Sequence, residues 1–207
     1  MPDLPHPSRP EIVKLGGSLI GHPRLPALLD ALARRGAPLV LVAGGGPLAD
    51  GVRALQPRLA LSDAACHRMA ILAMEQTAIA FADLSRDPSA PGLALADTRE
   101  ALAEAHAQRR AALWLPARMV LAASDLPESW ELTSDSLAAW LAEKLGAARL
   151  TLVKSLAAAP GSTAREWAAA GLVDPLFPGF AARLSCPVGL TTAQMLLAAC
   201  NHGDAAA

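Results

Sequence analysis

Short apolar runs alternate with longer helical segments along this chain, and this alternation limits the possible folds more than any other feature of the sequence. The apolar runs lie at 11–15, 38–43, 92–96, 111–116, 149–154 and 186–190. Between them, leucine and alanine recur at helical spacing, and Ser, Thr or Gly stands where a helix begins or ends. Strands that alternate with helices in this way form a parallel sheet. We therefore predict an α/β fold, a three-layer αβα sandwich with a central, mostly parallel sheet.

The chain is long enough for one well-packed domain, and nothing in the sequence divides it. It has 207 residues, of which 53% are hydrophobic and 18% charged, so general disorder is excluded. Residues 1–10 carry four prolines and read as a loose lead-in. Since neither a linker nor an internal repeat follows, we expect a single domain at 11–207.

Composition excludes several classes of partner. The formal net charge of −1 and the absence of tyrosine argue against a nucleic-acid or membrane surface. Cys66, Cys186 and Cys200 are far apart and have neither metal-site nor disulfide spacing. The proline-rich start lacks the apolar core of a signal peptide, so a cytoplasmic protein is expected.

Two strand–glycine–helix junctions, "VKLGGS" (13–18) and "LVAGGGP" (41–47), mark the expected functional edge. In a parallel sheet such junctions lie at the carboxyl ends of the strands, where ligands bind. Glycines let backbone N–H groups approach an anion, and the following helix N-terminus adds favourable partial charge. Lys14, inside an apolar run, would offset charge on a phosphoryl group there. The two junctions and Lys14 together favour phosphate binding over the simpler interpretation, in which glycines only allow tight turns and the lysine extends to solvent.

Two other nucleotide motifs fit less well. No segment matches the Walker loop G-x-x-x-x-G-K-[ST]. The dinucleotide fingerprint G-x-G-x-x-[GA] fits Gly44, Gly46 and Ala49, but it requires an acidic residue at the end of the next strand. Asp63 is at about the right distance yet opens a predicted helix, so an NAD(P)-dependent oxidoreductase stays a minor alternative.

Asp135, in "WELTSDS" (130–136), lies in the first turn of a predicted helix that begins at Thr133 or Ser134 and ends at Gly146. A carboxylate there stabilises the helix dipole, which is a sufficient structural reason for its presence. It could equally fix lysines, or a metal, beside the phosphates. The residues alone leave both interpretations open.

Together these motifs resemble the amino acid kinase family. The resemblance rests on "VKLGGSL" (13–19), "LVAGGGPLADGVR" (41–53) and "TSDSLAAWLAEKLGA" (133–147) before a strand. It implies the amino acid kinase-like fold and direct transfer of the γ-phosphoryl group of ATP to an oxygen acceptor, a phosphate or a carboxylate. Mg²⁺ would be held mainly by phosphates and water, with no protein metal cage. Members usually assemble, so a homo-oligomer is expected.

A narrower resemblance concerns the substrate. "SWELTSDSLAAWLAEKLG" (129–146) and "GLVDPLFPGF" (171–180) are similar to the small kinases of methanofuran biosynthesis. That similarity implies an enzyme of one-carbon metabolism that converts an (aminomethyl)furanmethyl phosphate to its diphosphate.

The resemblance also implies a role for each matching residue. Lys14 would contact the transferred phosphoryl group, and Asp135 would organise the catalytic lysine. The nucleotide- or phosphate-binding positions are Gly16, Gly17, Ser18, Gly44, Gly45, Gly46, Ser134 and Ser136. The substrate-binding positions are Arg53, His67 and Trp130, with Arg53 on the acceptor's phosphate. Arg53 could instead be a solvated helix arginine, and His67 a structural histidine.

The segment after the strand at 149–154 departs from the family pattern. The family usually has a Thr-Asp-x-Asp-Gly loop there that helps to bind ATP, whereas this chain has "VKSLAAAPGS" (153–162) without either acid. Lys154 could supply a second phosphate-binding catalytic lysine or be a strand-end lysine without a role, and Lys144 is the weaker candidate. The missing acids suggest a second hypothesis, a non-catalytic nucleotide- or oxyanion-binding protein of the same fold. Asp174 matches the narrower family, but the residues imply no role for it.

Overall fold

In this computed structural model the described residues are 9–36 and 38–204, with side chains described as far as Asn201. Most of the predicted proline-rich lead-in lies outside them. Its last two residues are anchored on the domain. The Arg9 side chain donates hydrogen bonds to the carbonyls of Gly146 (2.6 Å) and Ala147 (3.0 Å). The carbonyl of Pro10 accepts one from the N–H of Ala148, at 2.8 Å.

A six-stranded sheet runs through the middle of the molecule. Its strands are β1 (Glu11–Leu15), β2 (Leu39–Ala43), β3 (Leu93–Ala96), β4 (Ala111–Trp114), β5 (Arg149–Lys154) and β6 (Val188–Thr192). Their spatial order is β3-β4-β2-β1-β5-β6, and each of these pairings is parallel. The predicted α/β class with a central parallel sheet is confirmed.

Helices connect the strands and cover both faces of the sheet. They are α1 (Leu25–Arg35), α2 (Gly46–Leu59), α3 (Asp63–Leu84), α4 (Arg99–Ala107), α5 (Ala117–Val120), α6 (Ser134–Leu145), α7 (Ala164–Ala169), α8 (Phe177–Ala181) and α9 (Ala193–Asp204). A single 3₁₀ turn (Gly17–Leu19) follows β1. Within these described ranges, none of the helices has the length and hydrophobicity needed to cross a bilayer.

Two hydrophobic cores lie on opposite faces of the sheet. Because strand side chains alternate, Ile12 belongs to one core and Val13 to the other. Helices α4, α6, α7 and α8 pack over the Ile12 face, and α1 and α9 pack over the Val13 face. Helix α3 contributes to both cores, through Ile71 and Phe81. These two helical layers and the sheet give the expected three-layer sandwich.

Local expectations and structure agree closely at α6 and differ at β6. The side chain of Thr133 accepts a hydrogen bond from the Asp135 N–H, so Thr133 caps α6, and Gly146 ends it in a left-handed conformation with φ of +60°. The strand predicted at 186–190 lies instead at 188–192. Its pairing with β5 begins at Val188, because Pro187 has no N–H to contribute to the ladder.

The carboxyl ends of β1, β2 and β5 lie side by side, and this positions the site. Leu15 is paired with Ala43 on one side and with Val153 on the other. Lys14 follows the parity of Ile12, and Lys154 follows that of the buried leucines of β5 in the same core. Both lysine side chains therefore point to the face that α6 covers.

Candidate active site

Lys14, Asp135 and Lys154 form a buried charged cluster at the carboxyl edge of the sheet. Lys14 Nζ lies 2.8 Å from Asp135 Oδ1, and Lys154 Nζ lies 2.6 Å from Asp135 Oδ2. Lys14 and Asp135 are each 3% exposed, and the Lys154 side chain is 16% exposed. One carboxylate thus holds two ammonium groups. Of the two interpretations of Asp135 left open by the sequence, this geometry corresponds to the one in which it fixes lysines.

The cluster carries an excess of positive charge where water is largely excluded. Burial alone raises the pKa of the Asp135 carboxyl, but the ammonium groups of Lys14 and Lys154 outweigh burial and hold that pKa below its ordinary value. Burial and the charge of Lys14 lower the pKa of Lys154, although Asp135 acts in the opposite direction. Within the cluster two ammonium groups face one carboxylate, and the charge of the buried Asp174 also raises the pKa of Lys154, without a hydrogen bond or an ion-pair contact between them. An anionic ligand at this edge would offset part of the positive charge.

The two glycine junctions touch each other beside the cluster. A Cβ at Gly17 would lie 2.5 Å from both the Cα and the N of Gly46. Gly46 itself has φ of +52°, a conformation that side chains disfavour. The two loops therefore meet backbone to backbone, and this close approach requires glycine on both sides.

A groove of about 380 Å³ opens along these loops. Its walls include Gly17, Ser18, Gly44, Gly45, Gly46, Arg53 and Ser134. The N–H groups of Gly16 and Gly44 are not free to bind a ligand, because they donate to the carbonyls of Val153 (3.1 Å) and Leu15 (2.9 Å). The start of α2 offers the N–H groups of Gly46 and Leu48 to an anion, since Pro47 has no N–H and the Ala49 N–H donates to the Gly45 carbonyl at 3.2 Å.

The two serines that flank Asp135 face different partners. Ser134 Oγ lies 3.3 Å from the place where a Cβ of Gly44 would stand, so it faces the second glycine loop and the groove. Ser136 is fully buried, and its N–H and O–H both donate to Asp174, at 3.0 and 2.5 Å. Ser136 therefore serves Asp174 rather than offering a free donor to a phosphate.

A smaller cavity of about 70 Å³ adjoins the groove, with which it shares Gly45, Arg53 and Ser134. Most of its wall is apolar and comes from α3, α6 and the segment before α6. The three predicted substrate-binding residues, Arg53, His67 and Trp130, all line it. The structure thus brings together residues that are far apart in the sequence.

His67 is the polar side chain that α3 places in this cavity. It is 6% exposed, and among the described residues its ring has no hydrogen-bond partner. Burial lowers the pKa of His67 below its ordinary value, and the charge of Glu128 only partly opposes that shift. His67 therefore offers a neutral imidazole to whatever enters the cavity.

Arg53 and Trp130 form a second wall that is more accessible. The guanidinium of Arg53 lies 4.4 Å from the centre of the Trp130 ring, and its Nη1 lies 3.0 Å from Asp50 Oδ1. Trp130 is held by a hydrogen bond of 2.6 Å from its Nε1 to Gln56 Oε1. The Arg53 side chain is 52% exposed, so it can turn to an anion in the groove.

Lys144, the weaker lysine candidate, lies away from the cluster. Its Nζ is 3.1 Å from Asp125 Oδ2 and 5.5 Å from the centre of the Trp140 ring, on the outer part of α6. In the described part of the chain, no group of three or more His, Cys, Asp or Glu side chains could hold a metal ion.

A curated protein of similar sequence is the [5-(aminomethyl)furan-3-yl]methyl phosphate kinase of Methanocaldococcus jannaschii. The two proteins are 29% identical over 136 residues, which are 65% of this chain and 60% of that kinase. The match therefore spans less than two thirds of the length of the relative.

Solved structures of low sequence identity share the fold. Uridylate kinase from Archaeoglobus fulgidus superposes with a TM-score of 0.65 at 18% identity, over 93% of this chain and 95% of that chain. Carbamate kinase from Giardia lamblia, bound to AMP-PNP, superposes with a TM-score of 0.61 at 9% identity, over 94% of this chain and 95% of that chain. At these identities the likeness concerns the fold alone.

A family model gives the broader relationship. The model described as the amino acid kinase family matches residues 10–157, well over half of the 207 residues. The matched region contains both glycine loops, Asp135 and Lys154. The chain belongs to the amino acid kinase family.

Proposed function

We propose that this protein is an ATP-dependent kinase that transfers the γ-phosphoryl group of ATP directly to an oxygen of a small acceptor. The observation that carries the proposal is the buried cluster of Lys14, Asp135 and Lys154 beside two glycine loops that touch each other. The cluster has two ammonium groups in contact with one carboxylate, and a phosphoryl group in transit carries negative charge that such an arrangement can offset.

Each residue of the cluster has a separate task in this proposal. Lys14 and Lys154 neutralise charge that develops on the transferred group, and Asp135 keeps both ammonium groups at a fixed separation. The N–H groups at the start of α2 hold phosphate oxygens. Catalysis then arises from positioning and charge, and no covalent intermediate with the protein is needed.

The described residues do not form a preformed magnesium site. The carboxylate at the centre of the site, Asp135, is already engaged by two lysines at 2.8 and 2.6 Å. Oxygen ligands for Mg²⁺ would therefore come mainly from phosphates and water, and we derive no step through the metal.

For the acceptor we propose an (aminomethyl)furanmethyl phosphate, as in the name of the Methanocaldococcus jannaschii relative. The cavity beside the groove is small, mostly apolar and next to Arg53, which suits a small ring that already carries a phosphate. In that arrangement the acceptor's phosphate lies in the groove and its ring lies against Trp130 and His67. The proposal thus includes a role in methanofuran-type cofactor biosynthesis.

A homo-oligomer is part of the same proposal. The exposed side of α3 carries Leu72 and Ile79, which are 46% and 53% exposed. An apolar helix face of this kind can pack against a second copy.

The second candidate is a non-catalytic nucleotide- or oxyanion-binding protein. It is favoured by the segment 155–162, which follows Lys154 directly and has neither of the acids that usually help to bind ATP. The oxidoreductase alternative has less support, because Asp63 opens α3 and its carboxylate accepts a hydrogen bond from Gln56, at 2.7 Å. It does not stand at a strand end, where a ribose would require it.

The test is ³¹P NMR of the protein with Mg-ATP and the aminomethylfuran phosphate. We expect a new diphosphate signal, and Lys14→Ala should lower kcat by about two or more orders of magnitude without unfolding the protein. Lys144→Ala is the matched control, since it removes a lysine from the same domain but not from the cluster. Full turnover by Lys14→Ala would exclude the role of Lys14, and ATP binding without any transfer would favour the non-catalytic candidate.

A further inference from the structure

We propose that Asp174 is a positioning residue, which fixes the first turn of α6 and thereby the direction of Asp135 and its two lysines. The inference rests on the proposed function only for the meaning of those lysines. Asp174 is 6% exposed and lies on the segment between α7 and α8, about 40 positions from α6 in the sequence.

The carboxylate of Asp174 collects donors from two helix starts. Its Oδ2 accepts from the N–H of Thr133 (3.1 Å), the hydroxyl of Thr133 (2.8 Å) and the N–H of Ser136 (3.0 Å). Its Oδ1 accepts from the hydroxyl of Ser136 (2.5 Å) and from the N–H groups of Leu176 (3.2 Å) and Phe177 (2.9 Å). None of these donors belongs to a cation. The hydrogen bonds to this buried carboxylate therefore all come from neutral donors near helix starts, and the charge of Asp174 also acts on Lys154, whose pKa it raises.

The positions of these donors explain what the carboxylate achieves. Thr133 and Ser136 stand on either side of Asp135, one before it and one after it, so the backbone that carries Asp135 is held at two points. Asp135 in turn places Lys14 and Lys154. A displacement of about 1 Å in such a group can cost about 10²-fold in rate. Asp174 thus supports the cluster without contacting it through a hydrogen bond.

Helix α6 offers a matched comparison. Asp125 holds its other half, since it accepts from Trp140 Nε1 and from Lys144 Nζ, each at 3.1 Å. Asp125 therefore stabilises the same helix but lies away from Asp135. Asp174→Asn removes a carboxylate that accepts from the first turn of α6, and Asp125→Asn removes one that accepts from its second half.

The first measurement is steady-state kinetics of both variants. Asn keeps the shape of Asp but presents an N–H₂ group to donors that need acceptors. We expect Asp174→Asn to lower kcat by about 10²-fold while the KM values change little, and Asp125→Asn to change neither. If both variants lose activity in proportion to a fall in Tm, Asp174 is only structural and the proposal is overturned.

The second measurement does not depend on kinase activity. Lysine labelling of the ligand-free protein by an amine-reactive reagent, read by mass spectrometry, reports how firmly Lys14 and Lys154 are held. Lys154 should be labelled about tenfold faster in Asp174→Asn at neutral pH. Loss of the ion pair with Asp135 opens Lys154 to solvent and lowers its pKa, and loss of the Asp174 charge, which raises the pKa of Lys154 in the wild type, acts in the same direction. Asp125→Asn should label it at the wild-type rate. Unchanged labelling in Asp174→Asn overturns the proposal, whether or not the protein proves to be a kinase.

A milder variant covers the case in which Asp174→Asn does not fold. Ser136→Ala removes the donor at 2.5 Å and leaves the other bonds of Asp174 in place. This variant also keeps the charge of Asp174, which acts on Lys154 directly, so the faster labelling of Lys154 that we expect in it, by a smaller factor, would come from the position of α6 alone. Wild-type labelling in a folded Ser136→Ala protein would contradict the proposal.

Discussion

Each half of helix α6 contributes one member of an aspartate–lysine pair, and the two pairs differ in burial and in stoichiometry. At the start of the helix, the side chains of Asp135 and Lys14 are each 4% exposed, and Lys154 joins them as a second cation. Toward the end, Lys144 and Asp125 meet at 3.1 Å with side chains that are 40% and 44% exposed. The same chemical groups thus occur in two very different surroundings.

This difference separates a functional cluster from a surface contact. An exposed pair contributes little, because water and salt screen the charges. A buried pair loses its hydration, and the attraction between its charges only about compensates for that loss. An additional buried charge without a partner makes the net free energy less favourable. Stability alone does not explain two lysines on one buried carboxylate. The anion binding that we propose would explain them, since an anionic ligand would offset part of the positive charge.

The largest expected effect tests this difference directly. Asp135→Asn leaves two ammonium groups facing each other in a buried place, and it should lower the free energy of unfolding by about 3–5 kcal/mol. Asp125→Asn should lower it by less than about 1 kcal/mol, as is usual for exposed pairs. Chemical denaturation of both variants measures the two values. Equal losses of unfolding free energy in the two variants would contradict the expectation that the buried and the exposed pair differ in their contribution to stability.

Much of the fold could be predicted from the sequence because its signals are local. The apolar run of β1, the glycine after α1 at Gly36, and the cap at Ser62 each depend on neighbours in the chain. The order of the strands does not. That β1 lies between β2 and β5 depends on packing between segments that are far apart, and periodicity carries no information about it.

The site was predictable in part, for the same reason. Lys14 and the glycines stand in one motif, so their shared edge follows from the topology of a parallel sheet. The pairing of Lys154 with Asp135 was left open, because a strand-end lysine has the same local signal with or without a partner. For Asp174 the residues imply no role, because most of its hydrogen bonds come from Thr133 and Ser136, about 40 positions away in the sequence, and no local pattern predicts such a contact.

An effect of intermediate size is expected in the pH dependence of stability. The pKa of Asp135 is lowered in the folded protein, against an ordinary value of 3.8, so the unfolded chain binds the proton first as pH falls. Its contribution to stability is complete above about pH 4 and is lost as pH falls through the folded-state pKa. The stability gap between wild type and Asp135→Asn should therefore close in acid. Denaturation curves measured at a series of pH values between neutral and about 2 give that gap, and a gap independent of pH would contradict the ion pair.

The smallest effect on stability is expected at Lys144, and it tests the exposed pair with which the buried cluster is compared. Lys144→Ala removes the contact with the Asp125 carboxylate and the approach of the ammonium group to the Trp140 ring. The Lys144 and Asp125 side chains are both well exposed to water. We expect the free energy of unfolding to fall by about 0.5 kcal/mol. This loss should be smaller still at high salt, because mobile ions screen the attraction between exposed charges. Thermal unfolding at low and high ionic strength measures both quantities.

For Lys154→Ala, studied by the same thermal unfolding, the loss of stability should depend less on salt. Its partner carboxylate lies where mobile ions do not enter, so the charge that it leaves behind cannot be screened. If the two lysine variants showed the same salt dependence, the ammonium group of Lys154 would be as hydrated as that of Lys144. The excess charge at the start of α6 would then need no ligand, and the main physical reason for placing a phosphoryl group there would be lost.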